Sequence, residues 1–237
     1  EGVLPVCLGT ATRLCDMLTD KIKEYRAVIR FGIATDTEDM TGEIIEELPV
    51  TATEDDLRNV LPKFLGEQEQ IPPMYSAIKV EGKKLYELAR EGKTVERKAR
   101  TVNIFSIEIL EMDLPRVRMS VHCSKGTYIR SLIRDIGYKL NTYATMTSLV
   151  RTKLGDFKIE DSYTIEDIKN NNYNPKDISY SKIKDEMDFY IDNLINNTRM
   201  KKIFTSFFVS TMLFFSFFQA FAPLKYTFPS DHTGRCI

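Results

Sequence analysis

Arg116-Val117-Arg118-Met119-Ser120-Val121-His122-Cys123 runs without a break into Ser124-Lys125-Gly126-Thr127-Tyr128-Ile129-Arg130-Ser131-Leu132-Ile133-Arg134-Asp135-Ile136-Gly137. In the first stretch Val117, Met119, Val121 and Cys123 alternate with Arg116, Arg118, Ser120 and His122. That period of two is a half-buried strand. In the second stretch Ile129, Leu132, Ile133 and Ile136, with Leu140 beyond, recur at helical spacing and predict a helix from about Thr127 to Leu140. The strand therefore turns at Gly126 and enters a helix that buries one apolar stripe.

Two further strands lie to either side in sequence. Residues 101–112 form a partner strand, with Phe105, Ile107 and Ile109 alternating against Ser106 and Glu108. Residues 24–33 place Tyr25, Ala27, Ile29 and Phe31 on one face. An earlier helix opens at Thr53, a cap followed by Glu54, Asp55 and Asp56, with Leu57, Val60, Leu61 and Phe64 as its stripe. Strand–turn–strand runs with few helices predict an α+β fold: a mixed, largely antiparallel sheet flanked by helices.

The chain has 237 residues, 43% of them hydrophobic, enough for one sizeable core or a large domain with an appendage. Global disorder and low-complexity classes are excluded. Cys7, Cys15, Cys123 and Cys236 form no C-x-x-C pair, and His122 and His232 are far apart, so neither a zinc site nor a disulfide framework is expected. Reduced thiols in the cytoplasm are the default. The first residue is Glu1, not Met, which reads as a chain starting inside something longer.

The net charge of −1 conceals a polarity. Residues 1–78 carry 7 Lys/Arg against 15 Asp/Glu, and residues 79–153 carry 16 against 8. A basic half can face a polyanion, or can be an ordinary solvated surface. Lys79, Lys83, Lys84, Arg90, Lys93, Arg97, Lys98 and Arg100 fall within 22 residues, with Tyr75 and Tyr86 interleaved. Such a segment can neutralise phosphates and stack on bases. At the strand–helix turn, Lys125 and Arg130 flank a helix N-terminus that can bind an anion or hold a carboxylate. A plain turn with a structural ion pair is the other reading.

Three regions differ in character: a domain over 1–169, an Asn-rich linker and weak helix (about 179–197) over 170–199, and a segment over 200–237. In the last, Met200-Lys201-Lys202 precedes a Phe-rich run ending in Gln219-Ala220-Phe221-Ala222. That layout fits a signal peptide, a membrane anchor over 203–222, or a buried helix. An unrelated reading frame joined after about residue 198 accounts for it.

His122-Cys123-Ser124-Lys125-Gly126-Thr127-Tyr128-Ile129-Arg130 resembles the signature of the TruB family of tRNA pseudouridine synthases. Three stretches agree in order. Gly2-Val3-Leu4-Pro5-Val6-Cys7-Leu8-Gly9-Thr10-Ala11-Thr12 resembles the tail of the family's catalytic motif. Lys23-Glu24-Tyr25-Arg26 and Gly32-Ile33-Ala34-Thr35-Asp36-Thr37-Glu38-Asp39 resemble its next strand and turn. Gln70-Ile71-Pro72-Pro73-Met74-Tyr75-Ser76-Ala77-Ile78-Lys79, continuing through Gly92, resembles its RNA-gripping thumb, of the bacterial type. The likeness covers about residues 2–168. The family's C-terminal RNA-binding module is not recognisable in 170–237.

The resemblance implies the pseudouridine synthase catalytic fold and isomerisation of uridine 55 in the tRNA T-arm loop, in the cytoplasm, without cofactor or metal. The base must leave its stack to be reached. By motif, Tyr25 stacks on the flipped uracil and is the candidate for proton abstraction. Tyr128 and Leu149 line the pocket. Arg130 pairs with the nucleophilic aspartate, and Lys79, Lys83, Lys84, Arg90 and Lys125 contact RNA. The resemblance puts that aspartate four residues before Glu1, and none of Asp16, Asp20, Asp36, Asp39 or Asp135 matches its place. The expectation is a chain inactive by itself. The alternatives are a non-catalytic tRNA-binding remnant and a membrane-tethered protein.

Overall fold

The computed structural model describes residues 1–7, 12, 15–19 and 21–170. The linker, the helix at 179–197 and the apolar segment at 203–222 lie outside the described residues. Within the unit that spans Glu1–Asn171, strands β1 (Lys23–Phe31), β4 (Gly66–Gln70), β7 (Arg100–Asp113), β8 (Arg116–Cys123), β9 (Ala144–Leu154) and β10 (Phe157–Lys158) form one sheet. Its order is β10-β9-β1-β8-β7-β4, and every neighbouring pair is antiparallel. Two small ribbons stand apart: β2 (Ile33–Thr35) with β3 (Ile44–Glu47), and β5 (Lys79–Val80) with β6 (Lys83–Lys84).

The alternation in β8 is real. Val117, Met119, Val121 and Cys123 are buried, and Arg116 and Arg118 are exposed. Ala27, Ile29 and Phe31 of β1 face the same way. After the short helix α1 (Cys15–Thr19), helix α2 (Glu54–Val60) and the 3-10 turn Leu61–Phe64 cover part of that face through Leu57, Val60, Leu61 and Phe64. A capping box between Thr53 and Asp56 starts the helix. Helix α4 (Ile129–Lys139) covers the rest with Ile129, Leu132, Ile133 and Ile136, and Leu140 follows at its end. One core thus lies between a sheet face and two helices, the two-layer solution that an amphipathic helix and a half-buried sheet permit.

In β7 the expected alternation is corrected. Phe105 does not share a face with Ile107 and Ile109. The register against β8 shifts between Ile104 and Ser106 and again between Ile109 and Glu111. Each shift inserts one residue and inverts the alternation. Val102 and Ile104 therefore take the core face, and Phe105 lies outside against the His122 ring at 5.6 Å. The strand expected over 24–33 divides after Phe31, and β2 leaves the large sheet to pair with β3.

Candidate active site and basic flap

The site begins where β8 delivers the chain to α4. Gly126 sits at φ +80° in the connecting turn, a conformation side-chain-bearing residues rarely adopt. The Thr127 hydroxyl donates to the Ser124 carbonyl at 3.0 Å, so Tyr128 and not Thr127 is the residue before the first helical turn. Tyr128 has no side-chain cap. Instead Gln70, only 5% exposed at the end of β4, clasps its backbone. The Tyr128 N–H donates to Gln70 Oε1 at 2.8 Å, and Gln70 Nε2 donates to the Tyr128 carbonyl at 3.1 Å.

Two residues on, Arg130 carries a different carboxylate from the one its sequence context suggests. Its Nη1 donates to Asp39 Oδ2 at 2.9 Å and to the Thr37 carbonyl at 3.0 Å, and Nη2 donates to the Tyr75 carbonyl at 2.8 Å. The pair is largely buried, with side chains 21% and 17% exposed. Asp39 also accepts from the Thr41 N–H at 3.0 Å and from the Thr41 and Thr37 hydroxyls. Burial pushes its carboxyl upward, but the bonds from Thr41 and Thr37 and the charge of Arg130 outweigh that and hold it below the usual aspartate value. One helical turn further, Arg134 pairs with Glu38 and donates to the Ile71 carbonyl at 3.3 Å. Ser131 Oγ donates to Glu38 at 3.0 Å. Asp135 meets Arg134 at 2.9 Å.

Tyr25 sits in β1 between Val121 of β8 and Arg151 of β9. Leu149 is opposite Ala27, two positions along, so register places Tyr25 and Leu149 on the same sheet face. Both pack against the core while remaining partly exposed. Burial raises the Tyr25 phenol, with Cys123 adding to the rise, and the Arg151 guanidinium opposes both. Residues 1–3 lie along β9: Gly2 bridges Arg151 in parallel, and Arg151 Nε donates to the Val3 carbonyl at 2.8 Å. The turn holding Asp39 is bridged to Met146, further along the same strand.

The flap leaves the sheet after Gln70. Pro72 and Pro73 are buried, and the β5–β6 ribbon leads into helix α3 (Leu85–Arg90). Its basic residues are not equivalent. Lys83 and Lys93 both pair with Glu91, at 3.3 and 2.7 Å. Lys84 Nζ and the Arg90 guanidinium each stand 5.3 Å from the Tyr86 ring centre. Arg97 donates to the Pro72 carbonyl at 3.1 Å. Lys79, Lys98 and Arg100 are exposed, as is Lys125 at the turn before α4.

Sequence reasoning assigned no site role to Gln70, Glu38, Asp39 or Arg134. The acidic Glu38-Asp39 pair and the Arg130–Arg134 spacing of four were visible signals, and only the fold shows that they face each other. Among the described residues no cluster of His, Cys, Asp and Glu is placed to hold a metal ion. No helix among them is long and apolar enough to cross a membrane.

Comparison with known proteins shows the family. Residues 1–129 match the family model described as TruB family pseudouridylate synthase (N terminal domain), and residues 130–198 match that of the tRNA pseudouridylate synthase B C-terminal domain. The second match carries the likeness to residue 198, through a stretch where the sequence alone gives no recognisable family module. A tRNA pseudouridine synthase B of Clostridium tetani (strain Massachusetts / E88) is 47% identical over 202 residues, 83% of this chain and 70% of the relative. One from Alkaliphilus oremlandii (strain OhILAs) is 50% identical over 168 residues, 71% of this chain and 56% of the relative. The match thus spans 56% to 70% of the length of these two relatives. Among solved structures, a Cbf5-Nop10-Gar1 complex matches with TM-score 0.54 and 34% identity, over 73% of this chain and 42% of that one. An H/ACA RNP bound to a substrate RNA containing 2'-deoxyuridine matches with TM-score 0.51 and 28% identity, over 73% and 44%.

Proposed function

Since this chain belongs to the TruB family of pseudouridylate synthases, we propose that it supplies the uridine pocket and RNA-gripping flap of an enzyme that converts uridine 55 of the tRNA T-arm loop to pseudouridine. In this reading the nucleophilic aspartate precedes Glu1 and the 237 residues alone do not turn over. The observation that carries the proposal is Arg130. It is a largely buried guanidinium at the start of α4, already holding one carboxylate and a flap carbonyl. Residues 1–3 run in parallel with β9, the strand whose Met146 is bridged to the Asp39 turn.

The chemistry follows from the side chains. Pseudouridine formation breaks the N1–C1′ bond, makes C5–C1′ and removes the C5 proton. Tyr25 and Leu149 share a sheet face and offer an aromatic and an aliphatic wall, and in this reading Tyr128, the residue before α4, supplies a third. A tyrosine phenol is protonated at neutral pH and burial raises Tyr25 further, so stacking is its role before reaction. To take the C5 proton the Tyr25 phenol must first give up its own to solvent, and Arg151 is the group that favours the phenolate so formed. Lys79, Lys83, Lys84, Arg90 and Lys125 meet phosphates, and the reaction proceeds in the cytoplasm.

The test is conversion of a T-arm stem–loop by this chain and by the same chain extended upstream through a Gly-x-Leu-Asp-Pro motif. The reading expects pseudouridine at position 55 only with the extension, and RNA binding by both. Turnover by the 237 residues overturns the inactivity. Failure of both to bind overturns the function. Binding by both with turnover by neither favours a non-catalytic tRNA-binding protein.

A further inference from the structure

Two arginines four residues apart on α4 perform the same double task. Arg130 joins Asp39 to the Tyr75 carbonyl, and Arg134 joins Glu38 to the Ile71 carbonyl. Positions i and i+4 lie one above the other on a helix face. The acidic partners are consecutive in one turn, and the two carbonyls bracket Pro72 and Pro73 at the root of the flap. Glu38 reaches its place through a left-handed backbone conformation, φ 64°, uncommon for a residue with a long side chain. Side chains of Glu38 and Arg134 are 13% and 18% exposed, less than those of Asp39 and Arg130. Ser131, fully buried between the arginines, adds a second side-chain bond to Glu38.

We infer that Glu38 and Arg134 are positioning residues: they fix the flap root and the Asp39 turn on α4, and so set where the Arg130 guanidinium stands. A partly buried arginine with three simultaneous acceptors has its rotamer determined by them. Loss of the second rung frees the flap root at Ile71 and the turn at Glu38 together, while Arg130 keeps its own contacts with less support. That the flap grips RNA rests on the proposed function; that its root is latched by Arg134 rests on the geometry alone.

Hydrogen exchange by mass spectrometry on the full chain tests it, with binding of a T-arm stem–loop measured alongside. Arg134→Ala should speed exchange in 71–78 and 36–42 by about tenfold, with the β1 and β8 peptides unchanged. Arg134→Lys keeps the charge but cannot serve Glu38 and the Ile71 carbonyl together, so it should restore 36–42 and not 71–78. The exchanged pair Glu38→Arg with Arg134→Glu keeps an ion pair, yet a carboxylate cannot donate to a carbonyl. It too should leave 71–78 fast. RNA affinity should fall about tenfold wherever 71–78 is fast. Unchanged exchange at 71–78 in Arg134→Ala, or its full restoration in Arg134→Lys or the exchanged pair, overturns the inference. If the wild-type chain binds no T-arm RNA, the proposed function fails and the exchange pattern still decides the latch.

Discussion

The guanidinium of Arg130 meets the carboxylate of Asp39 at 2.9 Å across 91 residues of sequence. A helix residue and a turn residue thereby fix each other at the point where the flap begins. Removing one partner strands the other charge in a largely closed site. Asp39→Ala should therefore destabilise the fold by about 1–3 kcal/mol, the cost of a buried polar group left without its bond. Chemical denaturation checks this. Asp36→Ala gives the comparison, since Asp36 accepts from the Glu43 N–H and the Tyr75 hydroxyl at an exposed position.

Acid should reveal the same pair. Asp39 has its pKa below the ordinary aspartate value in the folded chain. A depressed carboxylate contributes stability that is fully present above the unfolded pKa, about 4, and is lost as pH falls through the folded one. The stability gap between wild type and Asp39→Asn should be constant near neutrality and shrink below about pH 4. Unfolding curves from pH 7 to pH 3 measure it; a gap that widens in acid contradicts the sign.

Gln70 contributes through shape rather than charge. Gln70→Glu keeps an acceptor for the Tyr128 N–H but sets a carboxylate against the Tyr128 carbonyl. Both Gln70→Glu and Gln70→Ala should cost about 1–3 kcal/mol, because each leaves a half-buried backbone group without its partner. Thermal unfolding reads the loss.

Gly137 is the place where α4 approaches β9. A Cβ there would stand 2.7 Å from the Ala144 backbone nitrogen and 2.9 Å from the Tyr143 carbonyl carbon. Backbone cannot step aside as a side-chain tip can. Gly137→Ala should destabilise by about 1–3 kcal/mol despite the better helix propensity of alanine. Differential scanning calorimetry decides the sign.

The flap lysines should separate in a salt titration. Lys83 and Lys93 share Glu91, whereas Lys79 is exposed and pairs with no carboxylate among the described residues. If the flap binds RNA, Lys79→Gln should lower the slope of log affinity against log salt by roughly one contact. Lys83→Gln should change it less, because its charge is already partly neutralised.

What the sequence reveals follows from local pattern. The stripes of α2 and α4 and the alternation of β8 are periodic, and Leu57, Ile133 and Val121 are buried as spacing requires. Strand β4 reads Gly66-Glu67-Gln68-Glu69-Gln70 and has no apolar residue; backbone pairing with β7 alone makes it a strand. Strand β9 opens with Ala144, Thr145 and Met146 all buried, so no alternation marks it. The bulges that turn Phe105 outward leave no local trace. At the site, the motif around Gly126 points to Arg130, but its partners Asp39 and Tyr75 come from residues 91 and 55 positions away. Only the fold assembles them.

Tyr25, Tyr128 and Leu149 are proposed to border a pocket for one extruded uridine. A T-arm stem–loop with 4-thiouridine at position 55 can be bound to this chain, irradiated and digested, and the crosslinked peptide identified by mass spectrometry. The account predicts adducts within Lys23–Phe31, at Tyr128, or within Ala144–Leu154. Adducts confined to the flap at 79–100, with none at those three places, would contradict it.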